Sequence, residues 1–462
     1  MLKSEVIIVV NAAEKQSKRD LILTGSPLPT LLRIAIPIVL GNIFQQLYNI
    51  VDAIVVGHFL GDLPLVGISI ATPVMDILYA LILGASVGVG VLMGQFSGAS
   101  DWDNLKTANS TALLGGSIIT VFLSAVGLLF SRKILLLQGN SEQACDQAMD
   151  YLIIILGGLI FCFLYNYYAS LLRSYGDSQT PFIVLLISST LHALLDILLC
   201  GVLDFSIRGV AFSTVFCQLF SSVCLICYTH SHYPPLSLSR AEICFSRQMG
   251  MTLLGYAWAA ALQQAVICIG RLLVQGTITN LGDQVITGYN MGMRAEQFIF
   301  CFSQGYAAAM VVCLSQNLGQ RNYKRIQQFF YAALKIGAVM GVMTVALSRL
   351  FRYQIIGIFS NNPAVIEAGV QYTGIMSFFY FFPFFGEAIQ GLFRGLGRIR
   401  LTMIASLLQV VIRVILSYLL VPTAGIMGIC ISVVTGWVLL NVIEGTYSII
   451  TAQRLTVTKT KK

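Results

Sequence analysis

The feature that most restricts the fold of this chain is a succession of apolar segments, each about as long as a membrane-crossing helix. Such a helix needs about 20 mostly apolar residues. Splitting the 462-residue chain at glycine, proline and charge clusters gives twelve segments. Their predicted limits are 31–56, 65–95, 107–130, 149–172, 180–203, 209–229, 252–277, 285–314, 328–350, 368–393, 401–421 and 425–450. The pattern predicts an all-α polytopic membrane protein with twelve transmembrane helices.

The scarcity of charge indicates the same fold class. Charged residues make up 10% of the chain and hydrophobic residues 56%, whereas soluble proteins carry about 25% charged residues. A soluble fold this poor in charge could not cover its surface, and a disordered chain needs the opposite composition. The eleven cysteines lie mostly inside apolar segments, which does not suit a disulfide framework.

The distribution of lysine and arginine predicts the orientation of the spans. Between the twelve spans, eighteen of these residues fall on one side, and five fall on the other: Arg132, Lys133, Arg208, Arg349 and Arg352. Because cytoplasmic loops carry the excess of basic residues, both termini are predicted to be cytoplasmic, with the protein in the cell membrane. The net charge of +8 is then a topology signal, and it indicates no nucleic-acid partner.

An internal repeat divides the chain into two halves. Equivalent motifs lie 221 positions apart (282 − 61 = 221): Leu60-Gly61-Asp62 with Leu281-Gly282-Asp283, Gln95 with Gln316, and Leu172-Arg173 with Phe393-Arg394. Six spans per half give both halves the same orientation, which predicts two six-helix lobes related by a parallel pseudo-two-fold repeat. The predicted parts are an N-terminal tail at 1–29, an N-lobe at 30–229, a cytoplasmic linker at 230–248, a C-lobe at 249–450 and a C-terminal tail at 451–462.

Short motifs occur in the same order in both halves. They are Leu47-Tyr48-Asn49-Ile50-Val51-Asp52, Gly94-Gln95 through Gly98, Leu172-Arg173-Ser174-Tyr175-Gly176-Asp177, Ser315-Gln316-Asn317-Leu318-Gly319 and Arg394-Gly395-Leu396-Gly397. Together they resemble the multidrug and toxic compound extrusion (MATE) family of secondary transporters, from Gly25 to about Ile450. The resemblance implies export of amphipathic, often cationic small molecules in exchange for H⁺ or Na⁺. It implies neither an enzyme nor a cofactor.

Two other functions compete with this one. A flippase for lipid-linked oligosaccharides would have a similar architecture. An intramembrane hydrolase would use Ser86, which lies in a G-x-S-x-G sequence, but no histidine is paired with it. Gly84 and Gly88 are better explained as small residues that let helices pack closely. The expected partners are small molecules and the lipid bilayer, and the chain is expected to act as a monomer.

The first span carries a polar stripe. Asn42, Gln45, Asn49 and Asp52 are spaced by three, four and three residues, which places them on one helix face. Acids inside the membrane usually belong to ion pathways, so Asp52 is predicted to couple transport to a cation, and Asn42 and Gln45 to line the substrate cavity. Pro37 lacks a backbone donor and is the predicted hinge. The alternative is that Asp52 only hydrogen-bonds a neighbouring helix.

The fifth span offers partners for Asp52. His192 and Asp196 are four residues apart, and Thr214 follows in the sixth span. In the family, the first-span Asp, an Asn and an Asp of span five and a Thr of span six are implicated in cation coupling. The resemblance transfers this role to Asp52, Asp196 and Thr214, with Asn49 beside them. His192 replaces the usual Asn, which favours H⁺ over Na⁺, although Na⁺ at Asp52 and Asp196 and a purely structural histidine both stay open.

Other polar residues inside the spans are weaker candidates for the substrate cavity. They are Tyr165, Asn166, Gln263, Glu296 and Glu387, with Glu444 as a further acid in the last span. Arg271, Arg294 and Arg413 could pair with the glutamates. A substrate-binding role and a buried ion pair are therefore both open for them.

Overall fold

The computed structural model describes residues 19–137, 141–279 and 281–457, except the side chains of residues 52, 53, 62, 63, 65, 137 and 452–457. Helices account for most of the described part, which contains no strand. The predicted all-α class is therefore confirmed. Residues 1–18 and 458–462, which belong to the two predicted tails, lie outside the described residues.

The α-helices are numbered here in chain order. They are α1 (Pro27–Phe59), α2 (Asp62–Ala99), α3 (Trp102–Leu137), α4 (Glu142–Gly157), α5 (Leu159–Tyr175), α6 (Gln179–Asp196), α7 (Ser206–His232), α8 (Arg247–Thr277), α9 (Asp283–Gly319), α10 (Tyr323–Leu350), α11 (Arg352–Gly357), α12 (Pro363–Met376), α13 (Phe381–Gly395), α14 (Ile399–Ala424) and α15 (Ile426–Val457). Ten are long and apolar enough to cross a membrane, and two bent pairs bring the spans in the described chain to twelve. The α1 helix continues through Pro37 without a break.

Two spans that the sequence predicts as single helices, 149–172 and 368–393, are broken in the structure. The first bends by 48° between α4 and α5, and the second by 52° before α13. Gly157 and Gly158 stand at the first break, where glycine weakens a helix interior. Pro383 lies in the first turn of α13, where its missing N–H leaves no hydrogen bond unmade.

The segment between α7 and α8 is docked onto α3. Asn109 donates its side-chain amide to the Leu236 carbonyl at 2.7 Å, and Ser110 exchanges hydrogen bonds with the backbone of Cys244. Lys106 lies 2.5 Å from Glu242, and its hydrogen bond lowers the pKa of Glu242 to about 2. The connection between the halves is therefore held in place against the first turns of α3.

The internal repeat is visible in the backbone. Four pairs of residues with left-handed φ angles are each 221 positions apart: Gly61 and Gly282, Ser100 and Arg321, Gly176 and Gly397, and Asp204 and Gly425. Positive φ is strained for residues other than glycine, so coincidence at four positions is improbable unless the two halves share one chain path. This finding supports the predicted parallel repeat independently of residue identity.

The chain divides into two compact units. Unit 1 includes Leu40–Ala261, and unit 2 combines Gly25–Val39 with the chain from Leu262 onward. In unit 1 the start of α8 packs against α2, where a Cβ on Gly84 would lie 2.5 Å from the Ala260 carbonyl oxygen. In unit 2 the start of α1 packs against α9, where a Cβ on Gly305 would lie 3.0 Å from the Val39 Cα. Unit 1 thus includes the N-terminal part of α8, the first span of the second half, and unit 2 includes the N-terminal part of α1, the first span of the first half. The two helix contacts are equivalent in the repeat (305 − 84 = 221; 260 − 39 = 221).

The close approach at Gly84 generates a prediction. Gly84→Ala should lower the thermal stability of the purified protein, since overpacking costs about 1–3 kcal/mol. Gly57→Ala is the matched control, because a Cβ at this helical glycine meets nothing within 4 Å and replacing glycine there should be neutral or stabilising. Thermal unfolding in detergent measures both, and equal melting temperatures would contradict the packing argument.

Candidate cation-coupling site

Two titratable side chains meet in the interior of unit 1. His192 and Asp196 are one turn apart on α6, so the helix puts them on one face. His192 Nδ1 lies 2.6 Å from Asp196 Oδ2, and both side chains are almost fully buried. Asp196 is the last residue of α6, and a π-helical turn, Ile197–Val202, follows directly. Such turns are rare and occur often at functional sites.

Three hydroxyl groups from two neighbouring helices surround this pair. The Tyr48 hydroxyl, from α1, lies 2.9 Å from His192 Nε2 and 3.0 Å from Nδ1. Thr214 Oγ1, from α7, lies 2.9 Å from Nε2. Ser213, the neighbour of Thr214, donates to Asp196 Oδ1. The pair is therefore held from α1 and α7 as well as from its own helix.

The closest contact in this group joins the histidine ring to the aspartate. Thr214 donates to the Val210 carbonyl at 2.8 Å and lies within hydrogen-bond distance of Nε2, and Tyr48 lies within hydrogen-bond distance of both ring nitrogens. These contacts fit more than one tautomer of the ring. Nδ1 lies 2.6 Å from Asp196 Oδ2, an oxygen with no other hydrogen-bond partner among the described residues, and the pair is an ion pair when the ring is protonated.

The polar stripe of α1 forms a hydrogen bond within its own helix. Gln45 donates to Asn49 at 3.4 Å, Asn49 is exposed, and Asn42 is half-buried. The backbone of Asp52 is helical, but its side chain lies outside the described residues. Position 52 comes one turn after Tyr48, which does contact His192. The predicted role of Asp52 therefore stays a prediction.

Sequence reasoning missed Tyr48 and Ser213 as members of the group. Tyr48 lies four residues before Asp52, so the same spacing that selected the polar stripe also includes it. The sequence marks Ser213 only through the internal repeat, in which it is equivalent to Ser432. A tyrosine among apolar neighbours gives no signal of its own, because most buried tyrosines serve packing.

Two further predicted residues of unit 1 lie on α5. Asn166 donates to the Cys162 carbonyl of its own helix at 2.9 Å, which satisfies its amide locally. Tyr165 is half-buried and packs against the core of this unit. Both positions show local contacts, and neither shares a hydrogen bond with His192 in the described structure.

The predicted residues of unit 2 fall into two separate groups. Gln263 is buried and donates to Ser406 at 2.8 Å and to Gln390 at 3.1 Å. Gln390 also accepts from Arg394, whose Nη1 lies 3.7 Å from Glu387 Oε2. The second group is built on Glu296.

Glu296 is buried among tyrosines. Tyr372 donates to it at 3.1 Å, and Tyr289 packs edge-on against Tyr372. Arg413 acts on this carboxylate electrostatically. The arrangement is that of a buried, partnered acid, which leaves the substrate-binding role of Glu296 untested.

Comparison with known proteins gives matches in both halves. The MatE family model matches residues 37–198 and 259–419. A Bacillus subtilis (strain 168) relative named probable multidrug resistance protein YpnP is 25% identical over 388 residues, which cover 83% of this chain and 86% of that protein. A Shewanella oneidensis relative named FAD transporter is 24% identical over 346 residues, or 73% of this chain and 75% of that protein.

The fold also matches solved structures. A crystal structure of MATE in complex with MaL6 aligns with a TM-score of 0.88 at 21% sequence identity, covering 94% of this chain and 98% of that chain. At this identity the likeness concerns the fold alone. It agrees with the twelve spans and the two repeated halves described above.

The buried pair generates a stability prediction. His192→Ala leaves Asp196 buried without its partner, and breaking such a pair costs about 3–5 kcal/mol of the free energy of unfolding. Arg132→Ala is the control: its pair with Asp146 is exposed, so its loss should stay near 0–1 kcal/mol. Thermal unfolding in detergent compares the two, and equal losses would contradict the buried-pair argument.

Proposed function

The chain belongs to the MatE family, and we propose that it is a secondary active exporter that expels amphipathic, cationic small molecules in exchange for protons. Like its family and relatives, it is a multi-pass membrane transporter and not an enzyme. The finer claims concern the coupling ion, the substrate class and the residues that act. The observation that supports them is the buried contact between His192 and Asp196.

The chemistry of the pair favours H⁺ over Na⁺. Hard cations prefer oxygen ligands, whereas a neutral imidazole offers one nitrogen lone pair and titrates near neutral pH. Here His192 Nε2 is turned toward Thr214 and Nδ1 toward Asp196. A proton between Nδ1 and Oδ2 satisfies both atoms, and a sodium ion would meet the ring where the family has an amide oxygen.

Removing this proton changes the geometry of the site. In the neutral tautomer that carries its hydrogen on Nε2, the Nδ1 lone pair faces a carboxylate oxygen 2.6 Å away, and the two atoms repel each other. The ring must then move, and its contact with Tyr48 on α1 transmits the movement to the first span. The proposed hinge for this movement is Pro37, which lacks a backbone hydrogen-bond donor. We propose that Asp52 binds and releases a proton in the same cycle.

The transport cycle follows from these steps. Protonation from outside closes the His192–Asp196 contact, bends α1 and displaces substrate outward. Release of the proton toward the cytoplasm resets the site. One elementary charge moving through 100 mV supplies about 2.3 kcal/mol, which is enough for uphill export of the substrate. The distribution of basic residues supports a cell-membrane location with both termini cytoplasmic, and the proposed transport unit is a single chain.

The substrate class has a specific competitor. The Shewanella oneidensis relative is named FAD transporter, and a flavin dinucleotide is amphipathic but anionic. A cationic substrate is favoured here because acids, Glu296 and Glu387 among them, lie in the spans of unit 2. An uptake assay that compares a cationic dye with FAD separates the two classes, and a lipid-linked oligosaccharide serves as the flippase arm.

Transport by everted membrane vesicles tests the coupling residues. Asp196→Asn and Asp52→Asn should each abolish dye accumulation driven by an acidic lumen, because neither amide can carry the coupled proton. Asp283→Asn, at an exposed position at the start of α9, is the matched control and should transport like the parent protein. Retained proton-driven accumulation in Asp196→Asn would remove the carboxyl from the mechanism.

The histidine is tested by restoring the family residue. His192→Asn should reduce the response to an imposed pH gradient at least tenfold. The amide oxygen beside Asp196 should permit accumulation driven by a sodium gradient instead. Both gradients are imposed separately on the same vesicle preparation, with the parent protein alongside. If the parent protein responds to sodium and not to pH, the assignment of the coupling ion is wrong.

A further inference from the structure

A second buried carboxyl group, in unit 2, has no hydrogen-bond partner. Glu444 lies on α15 and is fully buried. Neither of its carboxyl oxygens has a donor within hydrogen-bond distance among the described residues. A buried carboxylate that lacks donors is very costly, and such a group takes up a proton instead. The surroundings of Glu444 therefore fit a neutral carboxylic acid.

The cation that could neutralise Glu444 is occupied elsewhere. Arg394 and Glu387, both on α13, are the charged groups that act on Glu444. Arg394 Nη1 lies 3.7 Å from Glu387 Oε2, and its Nη2 donates to Gln390. The guanidinium thus contacts Glu387 and influences Glu444 only through space, and it can balance only one negative charge at a time.

The other helices packed against α15 supply no competing charge at this point. Arg398, at the start of α14, binds Thr451 at 3.0 Å, two turns beyond Glu444. Among the described residues of α10, α12 and α14, no charged group acts on Glu444. The proton balance of this cluster therefore depends on Glu387, Arg394 and Glu444 alone.

The cluster is connected to the first span of unit 2. Gln390 accepts from Arg394 and from Gln263 of α8 at 3.1 Å. If the guanidinium turns from Glu387 to Glu444, it leaves Gln390, and the link between α8 and α13 loosens. The cluster therefore joins a protonation state to the packing of two membrane-spanning helices.

The internal repeat shows that the acids are particular to the second half. The equivalents of Glu387 and Arg394 are Asn166 and Arg173 (offset 221). In the last span of each half the offset is 219, as Gly209 and Gly428 show, so the equivalent of Glu444 is Leu225. The arginine is common to both halves, and the two carboxyl groups are present in the second half only. A scaffold role would need the arginine alone.

We propose that Glu444 is a second proton-binding group, which holds a proton while Arg394 pairs with Glu387 and releases it when the guanidinium turns to Glu444. In the exchange one proton moves from Glu444 to Glu387 or to solvent, and the cluster stays neutral when Glu387 receives it. The inference rests on the proposed proton-driven export for its role in transport, but the protonation of Glu444 can be measured without transport.

Infrared difference spectroscopy of the purified protein tests the protonation directly. A pH step should reveal the carbonyl stretch of a buried carboxylic acid, and this band should vanish in Glu444→Gln and persist in Glu367→Gln, an exposed control on α12. Glu444→Asp should shift the band without removing it. An unchanged band in Glu444→Gln would overturn the proposal.

Folding and transport give further outcomes. Glutamine has the shape and neutrality of a protonated glutamate, so Glu444→Gln should retain the melting temperature of the parent. A large drop would show that Glu444 is an ion paired with Arg394 and overturn the proposal. In vesicles, Glu444→Gln should lose at least half of the protons moved per dye molecule. If the parent protein shows the Glu444 band but no proton-driven transport, the proposed function is wrong and the proton site at Glu444 stands. If Glu444→Gln moves as many protons per dye molecule as the parent protein, Glu444 has no role in transport.

Discussion

Every polar group placed in the hydrocarbon core has to find its partner inside the protein, because the lipid offers none. Most side chains of this chain obey the rule locally: Thr120 and Thr446, for example, donate to the carbonyl four residues earlier in their own helix. Against this background the few groups that reach across helices stand out. Tyr48, His192 and Asp196 in one unit, and Gln263 and Gln390 in the other, form polar contacts between neighbouring helices.

The sequence predicts the parts of the structure that depend on length and spacing. Span number, the parallel repeat and the shared face of His192 and Asp196 follow from apolar runs, a constant offset and the helical period. The breaks at Gly158 and before Pro383 were not predicted, since an apolar run looks the same whether or not it bends. The hydroxyl groups of Tyr48 and Ser213 were also missed, because their role depends on which helices become neighbours.

The repeat makes the two halves a natural comparison, since equivalent residues occupy equivalent places. Asp196 and Ser213 correspond to Ser417 and Ser432 (offsets 221 and 219), and the second pair is also joined, at 2.8 Å between hydroxyl oxygens. The scaffold thus keeps a hydrogen bond between these two helices in both halves. Only the first half forms this hydrogen bond with a carboxyl group, so the need for a hydrogen bond does not explain why residue 196 is an aspartate.

His192 corresponds to Arg413 (192 + 221 = 413). Histidine is a titratable residue type, whereas the arginine is permanently charged and acts on Glu296. One half therefore places a titratable group where the other places a fixed cation. In the second half, the buried acid without a fixed partner is Glu444. Each unit then combines a stable, satisfied polar group with one whose charge depends on a proton. Under the proposed mechanism, these groups occupy different places in the repeat, so protons would act on the two units through different helices, and two equivalent scaffolds would respond unequally to the same gradient.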